Sequence, residues 1–197
     1  MAGEWPHVSP PLRPALDLPA FKYHPDPIAT GSVVPSEDEC DCCGLARGYV
    51  YTGPVYGTDE PDALCPWCIS SGLAHERFDV EFTDTAAVGG YDPALRKAVT
   101  RDAKEAVAFR TPGFSSWQQE KWLVHCGDAC AFLGPAGQSE LEAYESAELL
   151  ESIRADLDFS EAEFSGFVES LDRENGPTAY VFECRHCGQR LGYADFT

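Results

Sequence analysis

"ECDCCG" (residues 39–44) and "LCPWC" (residues 64–68) each contain a Cys-x-x-Cys pair, and some twenty residues separate them. Cys40 and Cys43 are followed by Gly44, which allows the left-handed turn that lets backbone N–H groups point at sulfur. Cys65 and Cys68 fall where a helix should begin, and free N–H groups and the helix dipole stabilise thiolates there. Four thiolates at about 2.3 Å fill a tetrahedral Zn²⁺ site.

The order of knuckle, hairpin and helix-borne pair predicts a treble-clef-like finger holding Zn²⁺ on Cys40, Cys43, Cys65 and Cys68. The rival reading makes Cys65–Cys68 a thiol–disulfide oxidoreductase site. Such a site needs a buried strand leading into it, and "YGTDEPDAL" (residues 56–64) is polar and turn-like. Cys42 is left over as a free thiol beside the knuckle.

A second quartet is spelled by "VHCGDAC" (Cys126, Cys130) and "ECRHCG" (Cys184, Cys187). The latter is another knuckle between β-rich segments, so a zinc-ribbon-like C-terminal hairpin is expected. A metal on Cys126, Cys130, Cys184 and Cys187 would tie that hairpin to the middle of the chain. His125 and His186 are adjacent alternatives, with His125 able to replace Cys126 or Cys130 in a Cys₃His sphere. The expected cofactor is two Zn²⁺ ions, although iron also suits such ligands.

The fold class that follows is α+β, a small zinc-stabilised protein. Its expected organisation is a proline-rich arm (1–19), a treble-clef-like module (20–90), and a helical segment with the second site and ribbon (91–197). The two modules would form one compact unit. Acidic residues outnumber basic ones 33 to 14, a balance that repels phosphate backbones and favours a basic protein partner over nucleic acid. No apolar run is long enough to span a membrane. No secretory signal is visible. Nine cysteines without such a signal fit the reducing cytoplasm.

Local pattern predicts further elements. "GYVYTGPVY" (48–56) reads as two strands around Gly53-Pro54, and "ISSGLAHERF" (69–78) as a helix weakened at Gly72. Asp92 and Pro93 should start a helix running to Phe109, stopped by "TPG". "SSWQQEKWLVHC" (115–126) reads as a short Ser-capped helix. Two acidic amphipathic helices are expected at about 139–154 and 160–171. "AYVFEC" and "RLGYADF" should be strands.

Several stretches resemble the CbrC-like bacterial family, some of whose members carry a colicin-tolerance label. They are "LPAFKYHPDPIATGSV", "CDCCG", "LCPWCISSG", "RTPGFSSWQQEKWLVHCGDACAFLG" and "CRHCG". The resemblance supports the cysteine positions and the "RTPGFSSWQQEKW" stretch, and brings no defined reaction. It transfers nothing to the arm or to residues 138–178.

No phosphate loop, Gly-x-Ser-x-Gly or His-Glu-x-x-His motif occurs. Complete Cys₄ spheres leave no open metal position for catalysis. The candidate contact surface is therefore Arg110, Trp117, Gln118, Glu120 and Trp122, with His24 and Asp26 of "FKYHPDP". The leading expectation is a protein that binds a macromolecular partner, with tolerance or immunity to a basic toxin as one instance. The rival is an enzyme working in a cleft near Arg110–Trp122.

Overall fold

The computed structural model describes residues 17–89 and 99–196. Its elements alternate between short strands and short helices. Strands β1 (Val33–Pro35) and β2 (Tyr49–Tyr51) pair antiparallel, Val34 opposite Val50. Helices α1 (Pro66–Ser71), α2 (Leu73–Phe78) and α3 (Arg101–Arg110) follow. A small hairpin of β3 (Val124–His125) and β4 (Asp128–Ala129) leads into β5 (Ala131–Ala136). Helices α4 (Gln138–Tyr144), α5 (Ala147–Ala155) and α6 (Glu161–Ser170) precede strands β6 (Thr178–Glu183) and β7 (Arg190–Asp195). Strands β5, β6 and β7 form one antiparallel sheet with β6 central.

Strand β6 organises the core because successive side chains point to opposite faces. Ala179 and Val181 meet a helical layer through Leu141, Leu149, Ile153, Phe164, Phe167 and Leu171. Tyr180 and Phe182 face the other way, among Phe114, Trp122, Phe132 and Tyr193. Tyr23 and Val88 join that second cluster, so the N-terminal half packs directly against the sheet. Phe21, Tyr51, Leu64, Ile69, Val80 and Phe82 form a third cluster around the first cysteine pairs.

Several sequence expectations change. Strand β2 pairs with β1, not with a strand beyond Gly53-Pro54; the Tyr51 hydroxyl reaches over Gly53 to the Pro54 carbonyl at 2.7 Å. Gly72, at φ +82°, ends α1 and begins α2, so the predicted helix is two helices. The expected start at Asp92 and Pro93 lies outside the described residues. Helix α3 is capped by Thr100, whose hydroxyl accepts the Ala103 N–H at 3.2 Å. Pro112 disfavours helical geometry for Thr111 and ends it.

The helix predicted over 115–126 does not form. Its backbone donors are taken by distant acceptors: Trp117 N–H by the Tyr180 hydroxyl (3.2 Å), Gln118 N–H by Asp195 (3.2 Å) and Lys121 N–H by the Tyr193 hydroxyl (3.1 Å). Trp122 N–H bonds the Ala87 carbonyl at 3.0 Å. Tertiary contacts override the local signal. The first acidic helix divides at Glu145, which is left-handed (φ +47°), and Ser146 caps the next by accepting the Leu149 N–H.

Candidate metal centres and the cleft

The first cluster is built by two loops that meet. Glu39 and Ala46 bridge across a tight turn in which Gly44, at φ +67°, donates to the Cys40 carbonyl at 2.6 Å. Asp41 then fastens the second loop: its N–H donates to the Ala63 carbonyl and its carboxylate accepts the Ala63 N–H, both at 2.9 Å. Cys65 follows as the extended N-cap of α1, with Pro66 at the first helical position. Cys68 lies one turn on. The Cys65 N–H points at the Cys40 sulfur at 3.2 Å.

Sulfur atoms of Cys40, Cys43, Cys65 and Cys68 all lie within 4.8 Å of one another, and Cys43 and Cys65 are 3.9 Å apart. A tetrahedron with metal–sulfur distances of about 2.3 Å has edges of about 3.8 Å. The donor set fits such an ion. Burial pushes the Cys65 thiol up to about 11 and also raises Cys68, so without a cation these groups favour the protonated form. Cys42 is buried beside them, outside the four-atom group, and its thiol is likewise raised by burial.

The second cluster differs from the expected Cys₄. It brings together His125, Cys126, Cys184 and Cys187, again within 4.8 Å. Cys126 (φ +50°) and Gly127 (φ +74°) form the two-residue turn between β3 and β4. Both central residues of such a turn need positive φ, the geometry that matches the twist of paired strands. The turn places His125 and Cys126 at a hairpin tip. His125 Nδ1 lies 3.3 Å from the Cys126 sulfur and 3.5 Å from that of Cys187. Across from it, Gly188 (φ +74°) closes the β6–β7 turn by donating to the Cys184 carbonyl at 2.9 Å. Burial raises the Cys184 thiol, but N–H groups of Cys187 and His186, with His125 and Cys187 side chains, outweigh it and bring it down to about 6.

Cys130 does not join this group. The hairpin turns at 126–127, so the chain has left the tip before Cys130, whose N–H bonds the Leu123 carbonyl at 3.0 Å. Cys130 is fully buried in the aromatic core, its carbonyl accepting Trp122 Nε1–H at 3.0 Å. Burial, with nearby Cys184 and Asp128, pushes its thiol up to about 12. His125 stands in its place. His186 lies 3.2 Å from Asp128 and outside the group. Asp128 also accepts the Tyr23 hydroxyl at 2.8 Å and pairs with Lys22 at 3.2 Å and Arg185 at 3.3 Å, joining the N-terminal segment to the hairpin.

The expected contact surface divides. His24 is buried; Nδ1 donates to the Pro112 carbonyl and Nε2 accepts from the Thr30 hydroxyl, both at 2.7 Å. Exposed Asp26 accepts the Ala29 N–H at 3.0 Å in a local turn. Trp122 is core, and Trp117 is half-exposed with its indole N–H on Thr178 at 2.9 Å. Arg110 packs its aliphatic stem near Gly72, outside the cleft.

Gln118 and Glu120 do line a cleft of about 640 Å³, together with Tyr56, His75, Asp79, Glu81, Asp84 and Gln119. Glu120 is only 4% exposed; its oxygens accept the Tyr56 hydroxyl at 2.6 Å and the Asp84 N–H at 3.2 Å. Burial, then Glu120, raise the Tyr56 phenol, which stays protonated as the donor. His75 donates from Nδ1 to the Val80 carbonyl at 2.9 Å and stacks on Phe109 with 3.8 Å between ring centres. Sequence reading missed Tyr56, His75, Asp79, Glu81 and Asp84. The alternation Asp79-Val80-Glu81-Phe82 is its legible trace, since Val80 and Phe82 are fully buried and leave the acids outside.

A mixed α/β protein with two sulfur-rich clusters able to hold metal ions is the class these residues define. The chain belongs to the Uncharacterised protein family (UPF0167), whose sequence profile matches residues 18–196. It is 46% identical over 181 residues to UPF0167 proteins of Mycobacterium bovis and Mycobacterium tuberculosis, covering 91% of this chain and 94% of each relative. A Pseudomonas aeruginosa UPF0167 protein is 44% identical over 182 residues, covering 91% of this chain and 98% of that relative. No solved structure matches the chain. Among the described residues no helix is long and apolar enough to cross a membrane.

Proposed function

We propose that this is a cytoplasmic binding protein clamped by two structural zinc ions, whose cleft receives a basic segment of a protein partner. The observation that carries the reading is the lining of the cleft. Asp79, Glu81, Asp84 and Glu120 meet there, and none of the described lining residues is Lys or Arg. A guanidinium or ammonium group entering it would replace hydration with several carboxylate contacts, and the chain's net charge of −19 would speed its approach. Tolerance of a basic toxin is one setting in which such a contact would serve.

The first centre reads as treble-clef-like, a knuckle facing a helix whose first turn carries the second pair. The second reads as ribbon-like, two turns facing across a sheet edge. The expected boundary near residue 90 reads as a seam inside one unit, because Tyr23 and Val88 share a core with Phe132 and Tyr193. Residues 57–64 form no strand leading into Cys65, which weighs against oxidoreductase chemistry of the kind that needs a buried strand there.

Titration with a fluorescent Arg/Lys-rich peptide library at low and moderate salt tests the proposal. Binding should weaken steeply with salt and drop about tenfold in Asp84→Asn and Glu81→Gln proteins. Retention of full affinity in both variants, or no binding at low salt, would count against the cleft.

A further inference from the structure

We propose that Cys126 and Cys187 are an oxidation site for hydroperoxides, through which the second centre releases its zinc while the first keeps its own. The inference rests on reading the second cluster as a zinc site, and it adds to that reading a reactivity that the cleft and the first centre do not share.

Two independent features separate the clusters. One is access. Cys126 and Cys187 are exposed, whereas Cys40, Cys65 and Cys68 are buried and Cys43 is partly so. Oxidation of thiolates follows exposure as well as ionisation. The other is geometry. The Cys126 and Cys187 sulfurs are 3.9 Å apart on two separate turns. Cys126 sits at the tip of a hairpin whose strands are only two residues each, and Gly188 follows Cys187 in its turn. Bringing the sulfurs to bonding distance asks for a shift of about 2 Å, which the hairpin tip can supply. Cys43 and Cys65 are equally close, 3.9 Å, but Cys65 is buried, and the Asp41–Ala63 pair and α1 fasten the two loops together, so the pair is less open to a solute.

The chemistry balances with a hydroperoxide as the only oxidant. One thiolate attacks the peroxide oxygen, forming a sulfenic acid and releasing hydroxide. The second thiolate then attacks the sulfenic sulfur, forming the disulfide and releasing a second hydroxide. Two thiolates lose two electrons, and hydrogen peroxide becomes two hydroxide ions, protonated to water. His125 and Cys184 remain, too few to retain the ion against a chelator. A thiol reductant and Zn²⁺ would rebuild the centre.

The experiment starts from zinc-loaded protein whose metal content is measured before oxidant is added. Hydrogen peroxide is then added with a zinc-sensitive dye, and alkylated peptides are mapped by mass spectrometry over time. One equivalent of zinc should leave about tenfold faster than the other. A Cys126–Cys187 linked peptide should appear at the same rate, and dithiothreitol with Zn²⁺ should reverse both. A Cys42→Ser, Cys130→Ser protein should behave identically, which excludes those thiols as partners. Simultaneous release of both equivalents, or release without the linked peptide, overturns the proposal and leaves the two-zinc reading standing. A starting content of one zinc, with Cys126, Cys184 and Cys187 freely alkylated, overturns both.

Discussion

Asp41 and Ala63 bond each other twice, N–H to carbonyl and carboxylate to N–H, each at 2.9 Å. This pair is the latch that brings Cys65 onto the knuckle of Cys40 and Cys43. Asp41→Ala should cost about 1 kcal/mol of stability and hasten metal loss from the first centre alone. Chelator competition with thermal unfolding checks it. Asp41→Asn, which keeps an acceptor oxygen, should retain most of the wild-type behaviour.

Metal content by elemental analysis should separate the ligands from their neighbours. The wild type should hold two zinc ions per chain, and Cys65→Ser or Cys184→Ser one. His125→Ala should lose the second ion. Cys130→Ala should keep both, at a cost of about 1 kcal/mol for the lost core volume. The opposite result for the last two variants would restore Cys130 as a ligand.

His24 should make the fold acid-sensitive. Burial pushes its pKa down to about 4, against 6.5 for the ordinary side chain. The unfolded chain therefore takes up the proton first. The contribution is complete above pH 6.5, declines as pH falls, and is lost by about pH 4. Its size over that interval is about 3 kcal/mol. Urea unfolding at stepped pH, compared with His24→Gln, isolates the effect, because cysteine protonation contributes to both proteins. Parallel pH profiles would show that His24 is not responsible.

Gly113 packs directly against the backbone of Phe82. A Cβ there would fall 1.8 Å from the Phe82 carbonyl oxygen and 2.9 Å from the Tyr51 hydroxyl. Gly113→Ala should therefore cost about 3 kcal/mol, read as a lowered urea midpoint. Gly166, where a Cβ meets nothing within 4 Å, is the control: Gly166→Ala on the exposed side of α6 should stabilise by about 1 kcal/mol.

What the sequence made legible was chemistry written in short spacings. Cys40, Cys43, Cys65 and Cys68 announce themselves because two turns suffice to place them. Phe164, Phe167 and Leu171 are legible because helical periodicity is local. The second cluster was only half legible: whether Cys130 or His125 faces inward depends on a hairpin turning at Cys126-Gly127, and a spacing of cysteines does not encode that. The stretch from Ser115 to Trp122 reads as a helix because its cap and composition say so. Its fate is decided by Tyr180, Tyr193 and Asp195, more than sixty residues away. The cleft was hidden for the same reason, being assembled from Tyr56, Glu81 and Glu120 at the meeting of three segments.

The span of each sulfur cluster also sets an order of events during synthesis. Cys43 and Cys65 are 22 residues apart, whereas Cys126 and Cys187 are 61 apart, an added loop-closure cost of about 0.9 kcal/mol. A nascent chain can complete the first knot once α1 has left the ribosome. The other must wait for the further 61 residues from Cys126 to Cys187, so the exposed Cys126 thiol spends that interval without its partners.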